Sequence, residues 1–254
     1  MTVIRNARAR ARAEVRAEIL TAARAQLART GAEGISLRAV ARELGMVSSA
    51  LYRYFGSRDE LLTALIVEAY DELGEVAERV AAATAAEPAG RRWVAVARAV
   101  RAWAVEHPHR YALLFGTPVV GYEAPERTVG PGTRVPIVLA GIAIAAHRAD
   151  AVDLGRLGAG EPVVGPALAA DLARLRTALA ELAPDLLAAS GPPDVLLRAV
   201  LVAWPQLFGL ISFELFGQLR GVVGDGDAFL AEAAAVLAGR AGLQLGPGGY
   251  GSQP

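Results

Sequence analysis

The chain has 254 residues, enough for one large or two modest domains with a sizeable core. It has no cysteine, which excludes disulfides, thiol nucleophiles and thiolate metal sites, and its formal net charge is zero, which excludes a protein basic all over. The charge is unevenly spread: residues 1–60 hold 11 arginines against 6 acids, residues 61–254 hold 15 against 20, and there is no lysine. A basic head on an acidic body suits contact with a polyanion at one end.

At the N-terminus Arg5, Arg8, Arg12 and Arg16 are spaced three, four and four apart and line one helical face. That stripe reads as an arm able to follow a nucleic-acid backbone, or as a solvated charged face. No apolar segment follows it, so it is not a secretory signal. Over residues 14–30, Val15, Ile19, Ala22, Ala23 and Leu27 fall at helical spacing, and Gly31 ends the run. Ser36 can cap a short helix to Leu44, closed by Gly45. A second short helix fits Ser48 to Tyr54, with Val47, Leu51 and Phe55 four apart and able to pack on Leu37, Val40 and Leu44. Ser57 and Glu60 then form a capping box before a long apolar stripe, Leu61, Leu65, Ala69, Leu73, Val76 and Val80.

Residues 84–90 read as a linker and 116–132 as a long loop. Helices are expected at about 91–106, from Pro108 to near Gly116, and at roughly 134–150, 165–183 and 226–240. Leu197, Leu201, Trp204, Phe208, Ile211 and Leu215 alternate spacings of four and three, the rhythm of a helix-packing seam. Pro205 inside it predicts a kink. No strand alternation occurs, so the expected fold class is all-α. The longest apolar runs, near 135–146 and 199–216, are interrupted and fall short of a membrane span of about 20 residues. The expectation is a cytoplasmic protein with no membrane contact.

Two short helices joined by a glycine turn and closed by a longer third describe a helix-turn-helix, whose second helix enters the DNA major groove. Ser48, Ser49 and Tyr52 would turn outward. Small serines allow close approach to base edges, Ala50 can meet a thymine methyl, and the Tyr52 and Tyr54 hydroxyls have the reach for phosphate oxygens. Arg58, in the first turn of a capped helix, adds positive charge beside free backbone N–H groups.

The stretch ISLRAVARELGMVSSALYRYFGSRDELLTAL resembles the N-terminal helix-turn-helix of the tetracycline-repressor (TetR) family, over about Glu14 to Val67. Gly34, Val40-Ala41, Leu44-Gly45 and the spacing Leu51-Tyr52-x-x-Phe55 carry the match. The resemblance implies an all-helical homodimer that binds a near-palindromic operator in double-stranded DNA, represses transcription, and holds a small ligand in its second domain. It implies phosphate or base contacts for Ser36 and Arg38, base reading by Ser48 and Ser49, and phosphate contact by Tyr52. Tyr54 stands where a histidine is frequent, and Arg58 matches a basic residue opening the fourth helix. The implied division is a helix-turn-helix domain with its basic arm over 1–62, a helical ligand-binding and dimerisation domain over 63–241, and a disordered tail over 242–254.

Residues 103–118 and 203–215 are similar to relatives whose C-terminal domain is named for a Trp-His-Gly motif. Trp204 and Gly209 keep their places, while Phe208 stands where histidine is expected. Trp103, Tyr111, Phe115, Trp204 and Phe208 are the aromatics expected around a pocket for a lipophilic ligand. The last two helices are expected to form the dimer interface. No cofactor or metal is expected, since His107 and His109 flank Pro108 and face apart, and His147 stands alone. Hydrolase, nucleotide-binding and dinucleotide-binding motifs are absent, so no enzyme is expected. The rival reading is a helical small-molecule carrier or sensor with only weak, non-specific DNA binding.

Overall fold

The computed structural model describes residues 2–158, 165–187 and 191–247, and their side chains except at residues 2–6, 156 and 158. Eleven α-helices follow one another in the described residues: α1 (Thr2–Thr30), α2 (Leu37–Glu43), α3 (Ser48–Leu51), α4 (Arg58–Ala83), α5 (Ala89–Glu106), α6 (Pro108–Phe115), α7 (Val129–Arg148), α8 (Leu154–Gly158), α9 (Pro166–Leu182), α10 (Asp194–Leu215) and α11 (Gly226–Arg240). Short 3₁₀ turns stand at Glu126–Thr128 and Pro184–Leu186. The described residues contain no strand, only a single bridge between Val152 and Leu243.

Most departures from the periodic reading lie at helix starts. α1 begins at Thr2 because its Ala- and Arg-rich opening consists of strong helix formers, whatever it faces. α7 begins inside the expected loop. Thr128 is buried, its N–H and Oγ1 both donate to Pro125 O, and this turns the chain into the helix. Pro131 then falls in the first turn, where the missing N–H would have had no helical partner anyway. α8 lies in a segment expected as loop, and α10 runs through Pro205 without interruption, Gln206 Nε2 donating to Val202 O beside it at 2.8 Å. Asp225 caps α11, its carboxylate accepting from the N–H groups of Asp227 and Ala228.

The chain divides into two units that are interleaved in sequence, and the boundary expected at 62/63 falls inside α4. The first unit comprises residues 1–72 and 107–132. Its core joins Ile19, Ala23 and Leu27 of α1 to Leu37, Val40 and Ala41 of α2, with Leu51, Phe55, Leu61, Leu62 and Leu65. Leu113 of α6 and Val119 and Tyr122 of the following loop pack against this core, and the Tyr122 hydroxyl lies 3.0 Å from Thr63 Oγ1. Tyr70 has its phenol pKa pushed up by burial and, secondarily, by Tyr122.

The second unit comprises residues 73–106 and 133–254. The wide apolar face of α5, including Trp93, Val96, Val100 and Trp103, packs on α10 and α11. Ion pairs tie these helices together: Arg101 to Glu214 by two hydrogen bonds of 2.7 and 2.5 Å, Arg98 to Asp227, and Arg101 to Asp227 at 3.7 Å. The tail expected from residue 242 is held for its first residues. Leu243 is buried, Gly90 N–H donates to Gln244 O at 2.9 Å, and Arg91 reaches Pro247 O. Residues 248–254, on which the rest of that expectation falls, lie outside the described residues. By length and composition alone, α10 and the stretch Glu126–Arg148 reach what a membrane span needs. Their apolar rows, Leu139, Ile142 and Ala143 on one and Leu197, Leu207 and Ile211 on the other, are buried in this unit's core.

Hydrogen bonds from Arg134 hold the Glu78 carboxyl below its ordinary value, and those from Arg98 do the same for Asp227. Folding lowers both values, so the folded chain binds fewer protons than the unfolded one in mild acid. The stability these groups add is present above the ordinary carboxylate range and is lost as pH falls through the lowered values. The melting temperature is therefore expected to drop between about pH 6 and about pH 3, and to drop less in Glu78→Gln, whose amide does not titrate. Identical acid responses in the two proteins would remove Glu78 from the account.

Candidate nucleic-acid interface

The opening helices of the first unit hold a short helix with one buried and one open side. α2 ends at Glu43, and Gly45, two residues on, has a φ of +65° that lets the chain reverse where a side chain would strain it. α3 follows as a single helical turn, continued by bonds from Tyr54 N–H to Leu51 O and from Phe55 N–H to Leu51 O. Leu51 and Phe55 are fully buried and anchor this segment. Behind it, Ser57 Oγ accepts from Glu60 N–H, and the Glu60 carboxylate accepts from Gly56 N–H at 2.7 Å, so the turn into α4 is closed from both sides.

Three of the candidate residues stand on the open side: Arg38, Ser49 and Tyr52 are exposed. Ser36 and Ser48 are half-buried at the first positions of their segments. Ser36 occupies the N-cap of α2 with an extended backbone, yet its hydroxyl makes no cap bond. Tyr54 is half-buried against the core, and the Arg12 guanidinium lies over its ring at 5.3 Å.

Val47 departs from its expected place. Its spacing places it inward with Leu51 and Phe55, but it precedes the first helical residue with φ −70° and ψ 138° and is 70% exposed. The four-residue spacing holds a side chain on one face only within the helix, and Val47 lies just before its start with an extended backbone. This leaves an isopropyl group on the open side beside Ser49 and Tyr52, a surface able to meet a thymine methyl. Arg58 also departs: its guanidinium donates to the backbone carbonyls of Ala32, Glu33 and Ile35 instead of standing clear.

The arginine stripe of α1 is divided in its partners. Arg12 Nη2 donates to Arg53 O at 3.0 Å, and Arg16 donates to Tyr54 O with its guanidinium 4.2 Å from the centre of the Phe55 ring. These two residues hold the C-terminal end of the recognition segment, where unpaired carbonyls attract cations. Arg8 and Arg10 are exposed, and the Arg5 side chain lies outside the described residues. The stripe itself was legible in the sequence. Its carbonyl partners were not, because they lie some forty residues away along the chain.

The five pocket aromatics do not share one unit. Tyr111 is fully buried and lies 4.9 Å from Phe115, itself edge-on to Tyr70 at 6.0 Å, all in the first unit. Trp103, Trp204 and Phe208 belong to the second, where Trp204 meets Phe208 edge-on at 5.7 Å. Trp204 lines an apolar cavity of about 100 Å³ between α7, α9 and α10, with Ile137, Ala140, Leu175, Leu179 and Leu201. Apart from Thr133 and Pro136, its other walls are aliphatic residues that periodicity marks only as core. Among the described residues no three His, Asp or Glu side chains converge as a metal would require.

The α10 seam read from the sequence faces inward: Leu197, Phe208 and Ile211 are buried. A second row, Val202, Gln206, Gly209, Phe213 and Phe216, repeats the same alternation of four and three on the opposite face. Val202, Phe213 and Phe216 in it are 56%, 55% and 44% exposed. Phe229 and Val236 of α11 are exposed as well.

Residues 19–65 match the family model for bacterial regulatory proteins of the tetR family, and residues 93–237 match that of the tetracyclin repressor-like C-terminal domain. The chain is 41% identical over 214 residues to the HTH-type transcriptional regulator Rv1816 of Mycobacterium tuberculosis strain H37Rv, covering 82% of this chain and 83% of that one. It is similar to the crystal structure of SCO4313, with a TM-score of 0.68 and 35% identity over 91% of this chain and 98% of that one. A protein of unknown function from Rhodococcus sp. RHA1 shares the fold, with a TM-score of 0.61 and 23% identity over 87% and 92% of the two chains. A C-terminal model covering more than half the chain, joined to the family's own helix-turn-helix model, leaves one assignment: the chain belongs to the TetR family of DNA-binding transcriptional regulators, which are not enzymes.

Proposed function

We propose that this protein is a homodimeric, ligand-responsive repressor that acts in the cytoplasm on a near-palindromic operator. The observation that carries the reading is the α2–α3 surface. Arg38, Val47, Ser49 and Tyr52 are exposed together, while Leu51 and Phe55 anchor the segment from behind. Arg38 and Tyr52 hold phosphates, and Ser48, Ser49 and Val47 face base edges. The exposed apolar row of α10, with Phe229 and Val236 of α11, is the surface through which a second copy packs. Gly209 in that row has open space where a side chain would stand, which permits close helix approach. Two copies so joined set their recognition segments about 34–36 Å apart, one turn of DNA.

The apolar cavity at Trp204 suits an uncharged, lipophilic effector, since its walls offer almost no hydrogen-bonding group. Such a ligand lowers operator affinity only by binding the DNA-free form more tightly.

The test is binding to fragments upstream of the protein's own gene at two salt concentrations, with unrelated duplex as competitor. Competitor-resistant binding over a two-fold repeat is expected. Weak binding abolished by modest salt on every fragment would sink the operator reading and favour the carrier. Tyr52→Phe removes one phosphate-facing hydroxyl and is expected to weaken operator binding about tenfold with the melting temperature unchanged. Unaltered affinity would take Tyr52 off the phosphate.

A further inference from the structure

The connection from α1 to α2, residues 31–36, belongs to no helix, so its backbone polar groups need partners from elsewhere. Ile35 N–H donates to Ala32 O within the turn at 3.3 Å, and two side chains hold the carbonyls of residues 32 to 35. Arg58 Nη2 donates to Ala32 O at 3.0 Å and Glu33 O at 3.1 Å, and Arg58 Nε donates to Ile35 O at 3.1 Å. Gln26 is buried in α1. Its Nε2 donates to Gly34 O at 3.2 Å, and its Oε1 accepts from Ser36 N–H at 3.3 Å. The carbonyls of four successive residues, 32 to 35, and the N–H opening α2 are thus held by one guanidinium and one amide. Gly34 is pressed against the end of α1, where an added Cβ would come within 2.8 Å of Thr30 O.

A guanidinium has five N–H groups. Three of those of Arg58 point into the turn, and Nη1 lies 3.9 Å from the Asp59 carboxylate. The fork is committed to the protein, and its one outlying nitrogen stands beside a negative charge that repels phosphate.

We propose that Arg58 and Gln26 are positioning residues: together they lock the 31–36 turn and so fix where Ser36 and Arg38 meet DNA, and Arg58 is not a phosphate ligand. This rests on the DNA-binding reading of the α2–α3 surface. Lysine keeps the charge of Arg58 but cannot reproduce the planar fork that reaches three carbonyls.

The experiment compares wild type, Arg58→Lys, Arg58→Met and Gln26→Leu by salt-dependent binding to two probes. One is mixed-sequence duplex; the other is a duplex enriched on the wild-type protein from a random-sequence pool. All three variants are expected to lose about tenfold in affinity for the enriched duplex while keeping the wild-type salt slope on both probes. Arg58→Lys binding like wild type, together with an Arg58→Met slope shallower by about 0.9, the share of one phosphate, overturns the proposal.

Melting curves identify any variant that fails to fold. Wild-type protein supplies a readout free of that risk: the Arg58 Nε–H resonance, held by Ile35 O, is expected to keep its NMR shift when duplex is added. A shift as large as that of Arg38 overturns the proposal. A pool that yields no enriched sequence speaks against the operator reading, while the slopes and the resonance on mixed-sequence duplex still decide the role of Arg58.

Discussion

Phe213→Asp is expected to leave the protein monomeric in solution and to remove operator binding with it. Phe213 stands in the middle of the exposed row of α10, flanked by Gly209 and Phe216, and 55% of its surface is open in the isolated chain. A carboxylate there costs the isolated chain little, because the position is already solvated. In a two-fold dimer the same substitution falls twice at one interface. It removes two aromatic anchors and places two like charges against apolar surface. Central aromatic anchors cost about 2–4 kcal/mol each on truncation, so dimer affinity should fall by about 100-fold or more. Sedimentation velocity reads the oligomeric state, and the melting temperature confirms the fold. A dimer that persists at unchanged concentration would move the interface away from α10.

Phe55→Ala is expected to destabilise the protein by about 3–5 kcal/mol, the range for deleting a fully buried phenylalanine. Phe55 has no exposed surface, belongs to the core of the first unit, and carries the Arg16 guanidinium over its ring. Its loss opens a cavity beneath the recognition segment and removes the cation's aromatic partner. Against a typical total stability of about 5–15 kcal/mol, that is enough to cost DNA binding well before the chain unfolds. Urea denaturation followed by circular dichroism measures it. Val47→Ala is the contrasting change, expected within about 0.5 kcal/mol because Val47 is exposed. Equal costs at the two positions would restore the inward-facing stripe that spacing alone suggested.

Local pattern determined much of this protein. Spacing of apolar residues placed α11 at 226–240 and the short helix ahead of Gly45, and Ser57 with Glu60 announced the capped start of α4. Those features depend on groups within a few residues of one another, so neighbouring letters contain them. The residue types and order across 36–58 pointed to a DNA-reading surface for the same reason.

Only the tertiary structure decided what covers each face and where long side chains end. Residues 107–132 join the N-terminal unit because Leu113, Val119 and Tyr122 reach its core, although nothing in their composition says so. On α10 two rows repeat the same alternation, and apolar spacing cannot tell the row packed inside from the row left open. Arg58 and Arg12 look like free cations in sequence, and each is held by carbonyls 23 to 41 residues away. A guanidinium on a long flexible stem is directed by whichever acceptors the fold brings within reach, and those acceptors are backbone groups that every residue type carries alike.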